Sequence, residues 1–212
     1  MEKLAIFDVD YTITKKETLM QLFFFMLSEN LRNIMYIPRA IISGFLYAVG
    51  VFDEKKVKES FLRFIYNKNE SEVYSISKKF YKNKISKILY SDAVYKIKSL
   101  KEKGYKIYLI SASPEFYLFQ FYNIKEVDKI IGTKFVFENG RFICRMEGKN
   151  CKGEEKVKRL TKELEKDGIK VDYKESYMFS DSLSDKPLLD LVGKPYLINF
   201  NKQSGYKILE WK

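Results

Sequence analysis

The fold is decided by the stretch Leu-Ala-Ile-Phe-Asp-Val-Asp-Tyr-Thr, residues 4–12. Its four leading apolar residues predict a strand that is buried on both faces, as in a parallel sheet covered by helices. Open parallel sheets bind their ligands at the carboxyl ends of such strands, where Asp8 and Asp10 stand. One carboxylate can coordinate a metal and attack phosphorus while the other handles the proton of the leaving oxygen, so the pair indicates phosphoryl transfer. Helix capping is the alternative interpretation of strand-end aspartates.

A second acidic stretch, residues 177–185, repeats this design, because Tyr-Met-Phe-Ser leads to Asp181 and Asp185. Mg²⁺ takes hard oxygen ligands from separate segments, usually one or two carboxylates with water and substrate phosphate. Asp8 and Asp181 are able to supply such ligands. The chain has no histidine, which excludes His-based triads and His-ligated zinc and favours carboxylate and Mg²⁺ chemistry.

A third apolar strand is predicted over residues 105–110 and is followed by Ser111, Ala112, Ser113 and Pro114. Ser113 before Pro114 predicts the N-cap of a helix. The hydroxyl of Ser111 and the backbone N–H of Ala112 then face the same mouth as the aspartates. A phosphate in that mouth is able to accept a hydrogen bond from each of them.

A dianionic phosphoryl group beside an aspartate nucleophile needs positive charge beyond one metal ion. The stretch Asn-Cys-Lys-Gly-Glu-Glu-Lys-Val, residues 150–157, offers Lys152 and Lys156. Lys156 falls in the first turn of the helix predicted after Gly153, and we prefer it for this position. With 39 lysines and arginines in the chain, solvated surface is the alternative for either lysine.

The four stretches, in this order, resemble the signatures of the haloacid dehalogenase-like (HAD) phosphatases. The resemblance is to subfamily IB, which contains phosphoserine phosphatase and the type C phosphatidylglycerophosphate phosphatases, and it covers nearly the whole chain. It implies an α/β fold with a Rossmann-like core, a mostly parallel sheet and helices on both faces. It also implies an inserted all-helical cap of the C1 type over residues 15–88, with residues 1–14 and 89–212 forming the core.

Carried over by position, the resemblance implies that Asp8 is the nucleophile that forms an aspartyl-phosphate. Asp10 would protonate the leaving alcohol and later activate water, and Asp185 would orient Lys156 or a metal-bound water. Phosphoserine phosphatases place their lysine immediately before the glycine, so Lys152 stays open as the alternative. The implied Mg²⁺ ligands are Asp8, the backbone carbonyl of Asp10, and Asp181. The implied phosphate-binding residues are Ser111, Ala112 and Lys156.

Two substrate classes remain open. Glu17 aligns with a glutamate that contacts the substrate amino group in phosphoserine phosphatases, which favours a small phosphorylated metabolite such as a phosphoserine-like compound; a helix-terminal acid is its alternative role. A lipid phosphate is favoured by the apolar stretch 19–27 and the uncharged run 40–52. Charged residues interrupt any window long enough to span a membrane, so these stretches either bury their apolar faces in the cap or rest on lipid.

The net charge of +11 favours anionic ligands in general. No nucleic-acid-binding motif is present, and we expect neither nucleic acid nor an obligate protein partner. The two cysteines form no metal or disulfide pattern. No signal peptide is evident, so we expect a cytoplasmic location, with peripheral membrane contact through the cap as an open alternative. A non-catalytic protein that binds a phosphorylated ligand is the competing functional hypothesis.

Overall fold

Six strands form the central sheet in the computed structural model, which describes all 212 residues. In chain order the elements are β1 (Leu4–Phe7), α1 (Thr18–Glu29), α2 (Ile37–Ala48), α3 (Glu54–Phe61), α4 (Glu70–Asn83), α5 (Ser91–Glu102), β2 (Lys106–Pro114), α6 (Glu115–Leu118), β3 (Val127–Thr133), β4 (Phe135–Glu138), β5 (Arg141–Met146), α7 (Glu154–Lys166), β6 (Tyr177–Ser180), α8 (Lys186–Leu191), β7 (Lys194–Ile198) and β8 (Lys207–Leu209). Short 3₁₀ helices cover Leu31–Tyr36, Leu62–Ile65, Ile85–Lys87, Phe119–Asn123 and Leu183–Asp185.

The strand order is β3-β2-β1-β6-β7-β8, and every neighbouring pair in this sheet is parallel. The predicted α/β fold with a mostly parallel sheet is therefore confirmed. The chain builds the sheet outward from β1 on one side and then returns to β6 on the other side. The order reverses between β1 and β6, and parallel sheets form a ligand crevice at such a reversal.

Strand β1 is buried on both faces, as its unbroken apolar sequence predicts. Leu4 and Ile6 belong to a hydrophobic cluster that includes Leu160 of α7 and Leu188 of α8. Ala5 and Phe7 point the other way, into a larger cluster that contains residues of α1, α4 and α5. The alternation follows from the two-residue period of a strand, and it confirms helices on both faces of the sheet.

The segment between β1 and α5 contains only α and 3₁₀ helices. An isolated bridge joins Thr14 to Leu89 at its base. Phe25 and Phe80 of this segment lie in the same hydrophobic cluster as Phe7 of the sheet, so the packing between segment and sheet is continuous. The division of the chain into a core and a cap domain stays a prediction.

The hairpin that the sequence predicts around Asn139 and Gly140 is confirmed by the antiparallel pair β4 and β5. Both turn residues have positive φ, as a tight hairpin turn requires. The hairpin also contacts the helical segment, because the backbone N–H of Asn67 donates to the carbonyl of Phe142 at 2.7 Å.

Helix α2 exposes the apolar side chains of the uncharged run. It buries the small residues Ala40 and Ser43, whereas Ile41, Ile42 and Phe45 are 66%, 58% and 64% exposed. These three side chains are therefore not the buried face of a cap, which was one of the two alternatives. None of the helices has an apolar stretch that would be long enough to cross a bilayer.

Candidate active site

A cavity of about 560 Å³ opens at the carboxyl ends of β1, β2 and β6. Its size is in the range of small-molecule sites in proteins. The fold brings every predicted site residue to its wall, from segments as far apart as the end of β1 and the 3₁₀ helix Leu183–Asp185. These residues are Asp8, Asp10, Glu17, Ser111, Ala112, Lys156, Asp181 and Asp185.

Lys156 lies between two aspartates at the centre of this cavity. Its Nζ donates to Asp8 Oδ1 at 2.6 Å and to Asp185 Oδ2 at 2.6 Å, and the lysine is only 2% exposed. Burial alone lowers the pKa of Lys156, but the carboxylates of Asp185 and Asp8 outweigh burial and raise it. The lysine therefore stays protonated and supplies fixed positive charge beside Asp8.

Gly153 precedes helix α7 and positions Lys156, because its backbone has a conformation that residues with a side chain rarely adopt. Its φ of 55° and ψ of −128° fall outside the regions open to other residues. Lys156 is the third residue of α7, and its side chain turns back into the cavity. Lys152 also lines the cavity, but its Nζ forms an ion pair with Glu54 of α3. The geometry therefore favours Lys156 over Lys152 as the lysine beside Asp8.

Asp10 is held by two hydrogen bonds from other segments. The backbone N–H of Thr18 donates to its Oδ1 at 2.7 Å, and the hydroxyl of Ser113 donates to its Oδ2 at 2.7 Å. The Thr18 hydroxyl lies 3.0 Å from both Ser113 Oγ and the Tyr117 hydroxyl, which extends the network into the core. Both bonds fix the orientation of the carboxylate at the mouth.

The prediction that Ser113 is a helix N-cap is wrong. Strand β2 continues through Pro114, and helix α6 begins only at Glu115, without a side-chain cap. Ser113 is buried and uses its hydroxyl on Asp10, because the fold places that carboxylate beside it. Sequence reasoning had therefore missed Ser113 as a site residue. The sequence does contain a signal: Ser113 follows Ser111 by two residues, so in an extended strand both side chains point to the same face at the mouth.

Ser111 keeps a free donor at the mouth. Its Oγ accepts from the backbone N–H of Ser113 at 3.0 Å, and its own hydroxyl hydrogen is given to no protein acceptor. The carbonyl of Ala112 accepts from Lys58 Nζ and from the hydroxyl of Thr133, both at 2.7 Å. These bonds fix the backbone of the strand end that the sequence assigned to phosphate.

Lys58 is a second cavity residue that sequence reasoning did not identify. Lys58 belongs to a basic run on α3 that is typical of a solvated surface. Besides its bond to the carbonyl of Ala112, its Nζ donates to Asn150 Oδ1 at 2.8 Å. Asn150 in turn donates to Glu54 Oε2 at 2.7 Å. The network ties α3 to the end of β2 and to the loop before α7. Only the four-residue spacing from Glu54 hints at it in the sequence.

The cavity holds more negative charge than Lys156 neutralises. Burial raises the pKa of Asp8 well above its ordinary value; Lys156 opposes this shift, and the neighbouring Asp185, Asp10 and Asp181 add to it. Burial, with the charge of Asp185, raises the pKa of Asp181 to about 6. Oδ1 of Asp185 is buried and has no hydrogen-bond partner. Each of these observations fits a cation near the three side chains.

The donor set fits Mg²⁺ in particular. Asp8, Asp181 and the main-chain carbonyl of Asp10 offer hard oxygen atoms from two strand ends at one mouth. No group of three or more acidic or cysteine side chains is arranged to hold a metal ion alone. A Mg²⁺ site does not need such a group, since the ion retains water and binds substrate oxygens.

Glu17 is the N-cap of α1 and also lines the cavity. Its carboxylate accepts from the backbone N–H of Leu19 at 3.2 Å and of Met20 at 2.6 Å. Burial, with the charge of Asp10, raises the pKa of Glu17 to about 7. The helix-terminal role that the sequence allowed for Glu17 is therefore present, and it leaves the same carboxylate at the cavity wall.

The sequence was compared with protein families and with individual proteins. The family model described as haloacid dehalogenase-like hydrolase matches residues 5–190. The histidinol-phosphatase of Neisseria meningitidis serogroup C (strain 8013) is 29% identical over 125 residues, which cover 55% of this chain and 56% of that protein. The match thus spans little more than half the length of that relative.

Two solved structures show the same fold. A protein of unknown function from Bordetella pertussis Tohama I superposes with a TM-score of 0.81, at 23% identity over 99% of this chain and 98% of that one. A substrate-bound phosphoserine phosphatase superposes with a TM-score of 0.63, at 16% identity over 94% of this chain and 87% of that one. At these identities the likeness concerns the fold alone.

Proposed function

Because the chain belongs to the haloacid dehalogenase-like hydrolases, we propose that it is a Mg²⁺-dependent phosphomonoesterase that works through a phosphorylated Asp8. The observation that carries the proposal is the buried Lys156 between Asp8 and Asp185, at the switch point of the sheet. A purely structural role gives no reason to gather Asp10 and Asp181 beside this ion pair in an open cavity, because the mutual repulsion of the carboxylates destabilises the fold.

The reaction has two displacements at phosphorus. A carboxylate oxygen of Asp8 attacks, the bond between phosphorus and the ester oxygen breaks, and a protonated Asp10 gives its proton to the leaving alcohol. In the second step Asp10 takes a proton from water, and that water oxygen attacks phosphorus. The bond between phosphorus and Asp8 then breaks, which releases inorganic phosphate and restores the Asp8 carboxylate.

Other residues bind and orient the phosphoryl group. Lys156 and the free hydroxyl of Ser111 are placed to donate to its oxygens, and the backbone of Ala112 lies beside them. Asp8, Asp181 and the Asp10 carbonyl would hold Mg²⁺. When bound, the ion supplies positive charge that offsets the carboxylates and the dianionic phosphoryl group.

For the substrate we propose a small phosphomonoester with an amino group. Glu17 presents a carboxylate to the cavity, and the relatives' names refer to histidinol phosphate and phosphoserine, which both carry an amino group. A lipid phosphate is the second candidate, because part of the cavity lining is apolar. The apolar lining residues include Leu19, Met20, Tyr47, Val57 and Phe61.

The test is hydrolysis of p-nitrophenyl phosphate with Mg²⁺ by the Asp8→Asn variant. We expect a loss of about 10³-fold or more, since an amide is not a nucleophile toward phosphorus. Glu210→Gln is the matched control, because it makes the same change at an exposed carboxyl group and should retain full activity. Turnover by Asp8→Asn at the rate of this control would overturn the mechanism. Phosphate-dependent stabilisation of the unmodified protein without any phosphate release would instead support the non-catalytic binding protein.

A further inference from the structure

Helix α2 is amphipathic, but its apolar side faces outward and its small residues face the protein. A helix on the surface of a soluble domain buries its apolar stripe, but α2 packs through Ala40 and Ser43 and presents its larger apolar residues outward. We call these residues, with their neighbours before and after the helix, the α2 surface. It consists of Ile34, Met35, Ile41, Ile42, Phe45, Val49 and Val51, each at least 50% exposed.

These side chains form one face rather than a scatter. Ile41, Phe45 and Val49 follow one another at four-residue intervals, and Ile42 and Phe45 are three residues apart, so they are neighbours on the helix. Single exposed apolar residues need no explanation, whereas contiguous ones mark a surface that binds something.

Exposed arginines accompany the α2 surface. Between residues 30 and 52 the only charged residues are Arg32 and Arg39, which are both exposed, and the exposed acidic residues Glu29 and Asp53 stand immediately outside this stretch. The protein as a whole carries a net charge of +11. An apolar face with arginines on a strongly basic protein matches an anionic lipid bilayer, which takes the apolar side chains among its acyl chains and the arginines among its headgroups. A second copy of the chain matches less well, because two copies of the same high net charge repel each other.

The α2 surface and the cavity lie on different sides of the helix. Tyr47 lines the cavity, and it stands seven residues after Ala40 and four after Ser43, on the packed side of α2. Ile41, Ile42 and Phe45 point the other way and do not line the cavity.

We propose that the α2 surface docks on anionic lipid bilayers. The docking does not depend on the proposed phosphatase activity, and different measurements test the two.

The experiment is co-sedimentation of the full chain with vesicles of phosphatidylcholine alone or mixed in equal parts with phosphatidylglycerol. The test variant is Ile41→Glu/Phe45→Glu, and neither residue lines the cavity. The matched control is Tyr74→Glu/Tyr95→Glu, which adds the same charge at side chains that are 59% and 73% exposed on α4 and α5. Far-UV circular dichroism and thermal unfolding show that each variant remains folded.

We expect the unmodified chain and the tyrosine control to bind the phosphatidylglycerol vesicles and to bind phosphatidylcholine weakly. The α2 variant should bind at least about tenfold more weakly, because two apolar anchors are lost. Salt should weaken the binding of all three proteins. Equal binding by the α2 variant and the control would overturn the proposal, as would no binding by the unmodified chain. If the unmodified chain elutes as a dimer and the α2 variant as a monomer, the surface is instead an interface between copies.

Discussion

Lys156 Nζ lies 2.6 Å from Asp8 Oδ1, although 148 residues separate the two in the sequence. The same nitrogen lies 2.6 Å from Asp185 Oδ2. Removing one partner of a buried ion pair leaves an uncompensated charge, so the arrangement stabilises the fold only while it is complete. The lysine thus links the stability of the site to the electrostatics that we assign to phosphoryl transfer.

Lys156→Met should therefore lower both stability and activity. We expect about 3 kcal/mol less free energy of unfolding in urea, from two unpaired buried carboxylates, and a kcat about 10²- to 10³-fold lower. Lys152→Met is the matched control, since its ion pair with Glu54 is partly exposed and should contribute at most about 1 kcal/mol. A larger loss of kcat in Lys152→Met would reassign the role of Lys156 to Lys152.

Asp181→Asn should stabilise the protein when a chelator is present, and it should remove the rise in Tm that Mg²⁺ causes. The folded-state pKa of Asp181 is raised to about 6, so this group favours folding below about pH 4 and that contribution is lost as the pH rises through 6. At pH 7.5 the variant should gain about 1 kcal/mol after solvent screening, or roughly 2–4 °C in Tm. Thermal unfolding with EDTA and with Mg²⁺ checks both effects. A Mg²⁺-dependent rise in Tm equal to that of the unmodified chain would remove Asp181 from the metal site.

Ser113→Ala should lower kcat without abolishing it. The variant leaves Asp10 Oδ2 without the 2.7 Å bond that orients it, while the bond from Thr18 to Oδ1 remains. We expect a loss of about tenfold, the effect of roughly 1.4 kcal/mol on the barrier. Ser43→Ala, a buried serine away from the cavity, is the control for the packing change. An unchanged pH–rate profile and kcat in Ser113→Ala would mean that Ser113 does not position Asp10.

Two glycine-to-alanine substitutions should have opposite effects. Gly153→Ala forces a side chain into a backbone conformation with φ of 55° and should cost about 1–3 kcal/mol, with a loss of activity as Lys156 shifts. Gly44→Ala, inside α2 with open space around the added carbon, should stabilise by about 0.5–1 kcal/mol. Urea unfolding of both variants checks the signs. Equal stability changes would contradict the strained start of α7.

Local patterns in the sequence were sufficient for the elements that local physics determines. The apolar run of β1 predicts burial on both faces, and Asn139 with Gly140 predicts the turn of the hairpin, because a tight turn needs positive φ at both positions. The prediction that Asp8 and Asp181 share one mouth also holds, since parallel strands end at the same edge of the sheet.

Contacts between distant segments were beyond such patterns. Ser113 before Pro114 has the local signature of an N-cap, and only the position of Asp10, 103 residues away, decides that its hydroxyl is used in the site. Lys58 looks like a solvated lysine until α3 is packed against Ala112, 54 residues later. Hydrophobicity alone did not determine which side of α2 is covered, since that depends on the neighbours the helix packs against.

The central claim is that Asp8 accepts the phosphoryl group, and trapping of the intermediate tests it most directly. The protein is mixed with p-nitrophenyl phosphate and Mg²⁺, treated with borohydride, which reduces an acyl phosphate to an alcohol, and mapped by peptide mass spectrometry. The account predicts homoserine at position 8 and at no other position, and only when substrate is present. Continued phosphate release with homoserine at Asp10, or with none at all, would contradict it.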